Sequence, residues 1–221
     1  MGIGAGRLSH KLIMKAIFYD WGGGNVWLFH AINGIRFSWL DKLMLLATRL
    51  GDHALFPFYL GVFTLLALVR VNLSGPDTAH YRVQVNRWMA VITVFSLAYL
   101  LDGMLLAVLK PYFDYPRPPL ALPQGSVQII GIPEYRHSLP SGHSSFAMLV
   151  TASLWPVMSR NWRVAGVLFV LWVGISRISL GAHFPADVAA GFLSSLIVVL
   201  LVNVAIRWLI RRLAQVNFAR H

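Results

Sequence analysis

Cysteine is absent from the 221 residues, which excludes disulfides and thiolate metal sites. Acidic residues are scarce as well: eight Asp and Glu stand against nineteen Lys and Arg, and only 12% of the chain is charged. A sequence this poor in charge, 57% hydrophobic with a mean hydropathy of +0.63, departs from a soluble globular composition. The net charge of +11 would suit nucleic acid, but the basic residues lie in short segments between apolar runs and at the C-terminus, so nucleic acid is not the expected partner. No cleavable leader is expected either. Arg7, Lys11 and Lys15 are followed by Tyr19-Asp20-Trp21-Gly22-Gly23-Gly24 rather than by an apolar core.

Long apolar runs take the place of charge. Five stretches, about 54–70, 88–109, 144–158, 164–181 and 187–206, read as membrane helices, the third short and interrupted by Pro156. The expected fold is all-α, a polytopic membrane bundle of five to six helices over 54–206. It is preceded by an amphipathic region (1–53) and followed by a basic cytoplasmic tail (207–221). Within 26–50, His30, Asn33, Arg36, Asp41, Lys42 and Arg49 are too dense for a span, and a pair of interfacial helices over 25–35 and 39–50 fits better. If the five spans alternate, the polar loop 71–87, the basic loop 159–163 and Arg207, Arg211, Arg212 and Arg220 share one side, which the positive-inside tendency makes cytoplasmic. The opposite surface, periplasmic or extracellular in a bacterium, then receives Lys110, Arg117, His143, His183 and Asp187.

Those residues sit in three motifs: Lys110-Pro-Tyr-Phe-Asp-Tyr-Pro-Arg117-Pro118, Pro140-Ser141-Gly142-His143, and Ser176-Arg177 followed by His183 and Asp187. Lys110, Arg117 and Arg177 offer fixed donors for phosphate oxygens, the arginines as planar forks. Pro140-Ser141-Gly142 opens a helix: Ser141 can cap it, Gly142 permits close backbone approach, and the free N–H groups attract anions. Ser141 and Gly142 are thus candidate phosphate donors, and His143 is placed as a general acid. His183 and Asp187 stand at i and i+4. They share a face if the helix begins near His183, with His183 as nucleophile and Asp187 as its orienter. A metal-binding pair is the alternative, disfavoured by the surrounding cations. Asp102, inside the second span, either pairs with Lys110 or another motif cation or lies neutral at a helix contact. Arg136 and His137 either reach a second phosphate or belong to a solvated loop.

In order and spacing the motifs resemble the signature of type 2 phosphatidic acid phosphatases, the lipid-phosphatase branch of a superfamily that includes vanadium haloperoxidases. The pattern Lys-x6-Arg-Pro, Pro-Ser-Gly-His, Ser-Arg-x5-His-x3-Asp is complete at all eleven positions. The resemblance covers about 54–206, while the first 50 residues lack the clear first span of a six-span member. It implies a helical bundle, hydrolysis through a phosphohistidine without metal or cofactor, and a membrane lipid phosphate as substrate in a lipid bilayer. The expected substrates are lipid phosphates or diphosphates, undecaprenyl diphosphate first among them. A transferase passing phosphate to lipid A, a phosphatidylglycerol phosphate or lipid A phosphatase, and a non-catalytic lipid-binding protein are the alternatives. The haloperoxidases are soluble, and the apolar spans argue against their activity here.

Overall fold

Residues 16–73 and 79–218 are described by the computed structural model. Arg7, Lys11, Lys15, Gly75-Pro76-Asp77 and Arg220 lie outside them. Among the described residues there are seven helices of ten residues or more: α1 (Gly24–Asn33), α2 (Ser38–Leu50), α3 (Phe56–Asn72), α4 (Ala79–Phe113), α5 (Gly142–Leu154), α6 (Arg160–Ser179) and α7 (Pro185–Phe218). No strand occurs among the described residues.

Among the described residues, four segments are long and apolar enough to cross a bilayer: His53–Asn72, Ala79–Ala121, Arg160–Ser179 and Pro185–Leu209. The stretch expected at 144–158 is different. Its helix α5 has 13 residues, about 20 Å at 1.5 Å per residue, short of the roughly 30 Å of hydrocarbon. Pro156 falls in a 3-10 turn, Trp155–Val157, that ends it. Helix α5 is instead the centre of the bundle, in contact with α4, α6 and α7. Its small residues Ser144, Ser145, Ala147 and Ser153 are buried, which lets three neighbours approach it. Gly191 of α7 is one such approach: a Cβ there would meet the Ser141 carbonyl oxygen at 2.4 Å.

Other boundaries also shift. Helix α4 starts at Ala79, so most of the loop expected over 71–87 is helical, and it runs through Lys110 to Phe113. Arg160 and Arg163 form the first turn of α6 rather than a loop. Helix α7 continues through the expected tail to Phe218.

Outward faces carry Phe58, Leu65, Leu100, Met104, Leu168, Leu171, Leu200 and Leu201, all exposed, a belt suited to lipid rather than water. The core beneath is aromatic: Phe56 stacks on Tyr99 at 3.9 Å, and Phe63 lies 4.6 Å from Phe95. Charges divide between the two ends. At one end Arg87 donates to the Pro156 carbonyl and Arg163 to that of Trp155. At the other, the last turns of α4 and α6 carry Lys110 and Arg177, while α5 and α7 begin beside them.

The pair α1 and α2 falls where the amphipathic pattern puts it, but its polar residues do more than face an interface. Asn33 donates to the carbonyls of Gln128 (2.8 Å) and Ser179 (2.9 Å) and accepts from the Gln128 amide. Arg36 binds Asp41 at 3.0 Å and the Asn33 carbonyl at 2.8 Å. Asn25 accepts from the Ala186 amide at 2.9 Å. These helices therefore brace the loops that hold the motif residues.

Candidate active site

All three motifs meet at one cavity of about 370 Å³, lined by Lys110, Arg117, Gly142, His143, Arg177 and His183 together with His53, Glu134 and the α4 residues Gly103, Leu106 and Ala107. Lys110 lies in the last turn of α4, where the carbonyl ends favour a cation. Arg117 caps the one-turn helix Pro118–Ala121. Its Nε donates to the Arg136 carbonyl at 3.0 Å, which fixes the guanidinium plane. Arg177, in the last turn of α6, donates to the Thr48 hydroxyl on α2. Both arginines are buried.

His183 does not lie on the helix with Asp187. Helix α7 begins at Pro185, and His183 sits in the preceding loop. That loop turns at Gly181 (φ 76°) and closes through the Ala182 and His183 amides onto the Arg177 carbonyl. The pair still meets: Nδ1 faces the Asp187 carboxylate across 3.5 Å, and Nε2 faces the cavity, 3.1 Å from Arg117 Nη1. Asp187 is itself tightly held. It reaches back to the Phe184 amide at 2.8 Å, as an acidic residue in the first turn does in a capping box. It also accepts from the Ser138 hydroxyl and, at 2.9 Å, from Tyr19. Burial and the nearby Asp187 charge raise the Tyr19 phenol, so it stays a donor.

Several expectations change. Ser141 is fully buried and makes no side-chain cap: its hydroxyl accepts from Ser144 at 3.0 Å, and its amide donates to the Asp187 carbonyl at 2.9 Å. It ties α5 to α7 behind Gly142, which alone of the two lines the cavity. Asp102 pairs with none of the motif cations. Its oxygens accept from Ser145 and Ser195, and His53 Nε2 stands 3.9 Å away. The second-phosphate role for Arg136 and His137 is not supported, since both are exposed and pair with Asp114 at 3.1 and 3.3 Å. The Arg136 carbonyl holds Arg117, and His137 Nδ1 stands 3.3 Å from the Lys110 carbonyl.

Glu134 was not foreseen. Its carboxylate lies 2.7 Å from Arg117 Nη2 and 4.0 Å from Arg177 Nη2, standing where oxygens of a bound phosphate would be received. Its side chain is about half exposed, so the contact is solvent-screened.

A family model for the PAP2 superfamily matches residues 90–211, more than half of the chain. The chain belongs to the PAP2 superfamily. Phosphatidylglycerophosphatase B of Bacillus subtilis (strain 168) is 31% identical over 180 residues, 76% of each chain. Lipid A 1-phosphatase of Rhizobium johnstonii is 29% identical over 106 residues, 47% of this chain and 42% of that one. Among solved structures, Aquifex aeolicus LpxE superposes with a TM-score of 0.64 at 26% identity, over 80% of this chain and 93% of its own. A PAP2-type phosphatidylglycerolphosphate phosphatase from Bacillus subtilis shares the fold with a TM-score of 0.59 over 91% of this chain and 94% of its own.

Two tests of this PAP2 site follow from its electrostatics. If Glu134 competes for the anion position, Glu134→Gln tightens inhibition by orthophosphate about two- to fivefold, the scale of one partly exposed ion pair. An unchanged or weaker inhibition constant would remove it from that position. The second concerns pH. Burial foremost, then Arg177, His183, His53 and Lys110, lowers His143 to about 2. Burial with Arg117, Arg177 and Lys110 holds His183 well below the usual range too. Both imidazoles are neutral in the folded protein, while the unfolded chain protonates them near 6.5. Their folded values lie below the unfolded ones, so the unfolded state takes up protons first, and stability is full above about pH 6.5 and falls below it. The melting temperature in detergent should drop between pH 7 and 5, and drop less in His143→Gln. Equal slopes would show that His143 charges freely in the fold.

Proposed function

We propose that the protein is an integral-membrane lipid phosphatase working through a phosphohistidine, with no metal or cofactor. The observation that carries this reading is the convergence of Lys110, Arg117 and Arg177 with His183 on one cavity, which His143 also lines. The cations and the free amides at the start of α5 receive the phosphate oxygens as charge spreads in the transition state. His183 Nε2 attacks phosphorus, the bond to the lipid oxygen breaks, and His143 gives that oxygen its proton. Asp187 stabilises the imidazolium as it forms. Water then attacks the phosphohistidine, His143 takes its proton back, and orthophosphate leaves with His183 restored. The dianion between the three cations is what returns His143 to its protonated form before the first step.

The donor set suits an anion rather than a metal, because three of its members are fixed cations. The division of charge between the two ends supports a bacterial plasma-membrane orientation with the cavity on the periplasmic or extracellular face. The relatives are named for phosphatidylglycerophosphate and lipid A. Lipid phosphates and diphosphates are accordingly the substrate class, with undecaprenyl diphosphate our first choice. Phosphate transfer to lipid A is the second reading.

Phosphate release by the detergent-solubilised protein decides among these. Phosphatidylglycerol phosphate, phosphatidic acid, undecaprenyl diphosphate and lipid A are offered singly and in pairs, with EDTA present. Release from a single lipid, inhibited by vanadate and indifferent to EDTA, is the expected result. Phosphate moving only between paired lipids would make it a transferase, and a strict need for divalent metal would overturn the mechanism.

A further inference from the structure

One wall of the cavity is left unused by the chemistry above. His53, in the turn that leads into α3, brings a third imidazole to the site. Its Nε2 is buried and makes no hydrogen bond, but faces the Asp102 carboxylate at 3.9 Å. Asp102 is wholly buried within the bundle and fixed by hydroxyls from two other helices, Ser145 of α5 and Ser195 of α7, the latter at 2.9 Å. A carboxylate anchored this way orients the ring, as Asp187 does for His183. Aromatic neighbours confine the ring further, with Phe146 at 5.0 Å and Tyr99 at 6.1 Å between centroids.

The other edge of the ring is turned to the cavity. A side chain on Gly142 would begin 3.4 Å from His53 Cε1, 3.8 Å from its Nδ1 and 3.8 Å from Lys110 Nζ. The missing side chain of Gly142 therefore leaves a space with Lys110 and His53 beside it, next to the amides at the start of α5. Arg117 and Arg177 lie with His183 in the other part of the cavity. Beyond the space, the wall is Gly103 and Ala107 on the exposed side of α4, which leave the cavity open toward the lipid-facing surface.

We propose that Lys110 and His53, the latter held by Asp102, form a second anion subsite that takes the inner phosphate of a lipid diphosphate. The inference rests on the phosphatase reading above and narrows its substrate class. The terminal phosphate lies at Arg117, Arg177 and His183 with Lys110 shared between the two phosphates, the inner one occupies the space beside Gly142 and His53, and the lipid chain leaves past Gly103 and Ala107. A lipid monoester places no charge in that space, so it forgoes the contact with His53.

Farnesyl diphosphate and farnesyl monophosphate differ by this one phosphate and serve as probes. Phosphate release is measured for wild type, His53→Gln and His53→Arg in detergent. Wild type should prefer the diphosphate in kcat/KM. His53→Gln should lose that preference by about tenfold or more, chiefly through KM, and His53→Arg should restore it by supplying a fixed cation. Equal losses on both probes in His53→Gln, or a His53→Arg protein no more selective than His53→Gln, would overturn the subsite. A wild type that cleaves both probes equally leaves the phosphatase standing and removes the subsite. Release from neither of these probes, nor from any lipid of the panel, would instead strike at the phosphatase reading itself.

Discussion

In His183→Ala, turnover should fall by about four orders of magnitude or more, the scale seen when a nucleophile is removed from a preorganised site. The geometry separates its role from binding. Among the described residues, His183 Nε2 is the only imidazole nitrogen paired with a motif guanidinium, 3.1 Å from Arg117 Nη1, so it faces the same space as the motif cations. Deleting the ring takes the bond-forming atom away but leaves Lys110, Arg117, Arg177 and the Gly142 backbone in place. Orthophosphate should therefore still bind, within about tenfold of wild type, because its affinity comes from charge-assisted donors rather than from the ring. Phosphate trapped by a rapid alkaline quench during turnover, in which a phosphoramidate survives, should label wild type and not the variant. Loss of orthophosphate binding together with turnover would show that the ring holds the site open rather than attacking. A variant that keeps a few percent of wild-type activity would place the nucleophile elsewhere.

The motif residues that the structure brings to the cavity were largely legible in the sequence because each lies in a short motif whose spacing reflects local backbone geometry. Lys110 ends a helix, Gly142 begins one, and Arg177 and His183 flank a tight turn. Residues that act through long-range contacts carry no such pattern. Tyr19 meets Asp187 across 168 positions, and Asn33 meets Ser179 across 146. A hint was present in the cluster of polar residues within an otherwise apolar 25–41: Asn25, Asn33, Arg36 and Asp41 are expensive at an interface unless something else binds them. Asp102 was flagged as an intramembrane carboxylate, but its partners come from a turn and two other helices, and helical spacing along α4 pointed to Lys110 instead. Ser141 illustrates the reverse error. Its motif position suggested a ligand contact, yet close packing of α5 on α7 turned both its hydroxyl and its amide inward. Glu134 sits in a loop without periodicity, so nothing local announced it.

Asp187→Asn should lower kcat by about two to four orders of magnitude while moving KM little, as orienting carboxylates do elsewhere. All three groups that bind this side chain are donors: the Tyr19 hydroxyl at 2.9 Å, the Ser138 hydroxyl, and the Phe184 amide at 2.8 Å. An asparagine has one acceptor oxygen to offer them. Its NH2 group must face a donor or turn to His183 Nδ1, and in the second case it donates where the carboxylate accepted. The ring then carries its proton on Nε2, the atom that must attack, so the nucleophile is lost to the wrong tautomer. Tyr19→Phe tests the same shell more gently, since it removes one of three donors and leaves the charge. It should cost about tenfold or less in kcat, and its phenol, raised by burial, cannot be supplying a proton of its own. If both residues act only by placing His183, the double variant should be scarcely worse than Asp187→Asn alone. Additive losses would mean that Tyr19 contributes to catalysis by a route other than the carboxylate, and an Asp187→Asn enzyme with wild-type kcat would take the carboxylate out of the mechanism.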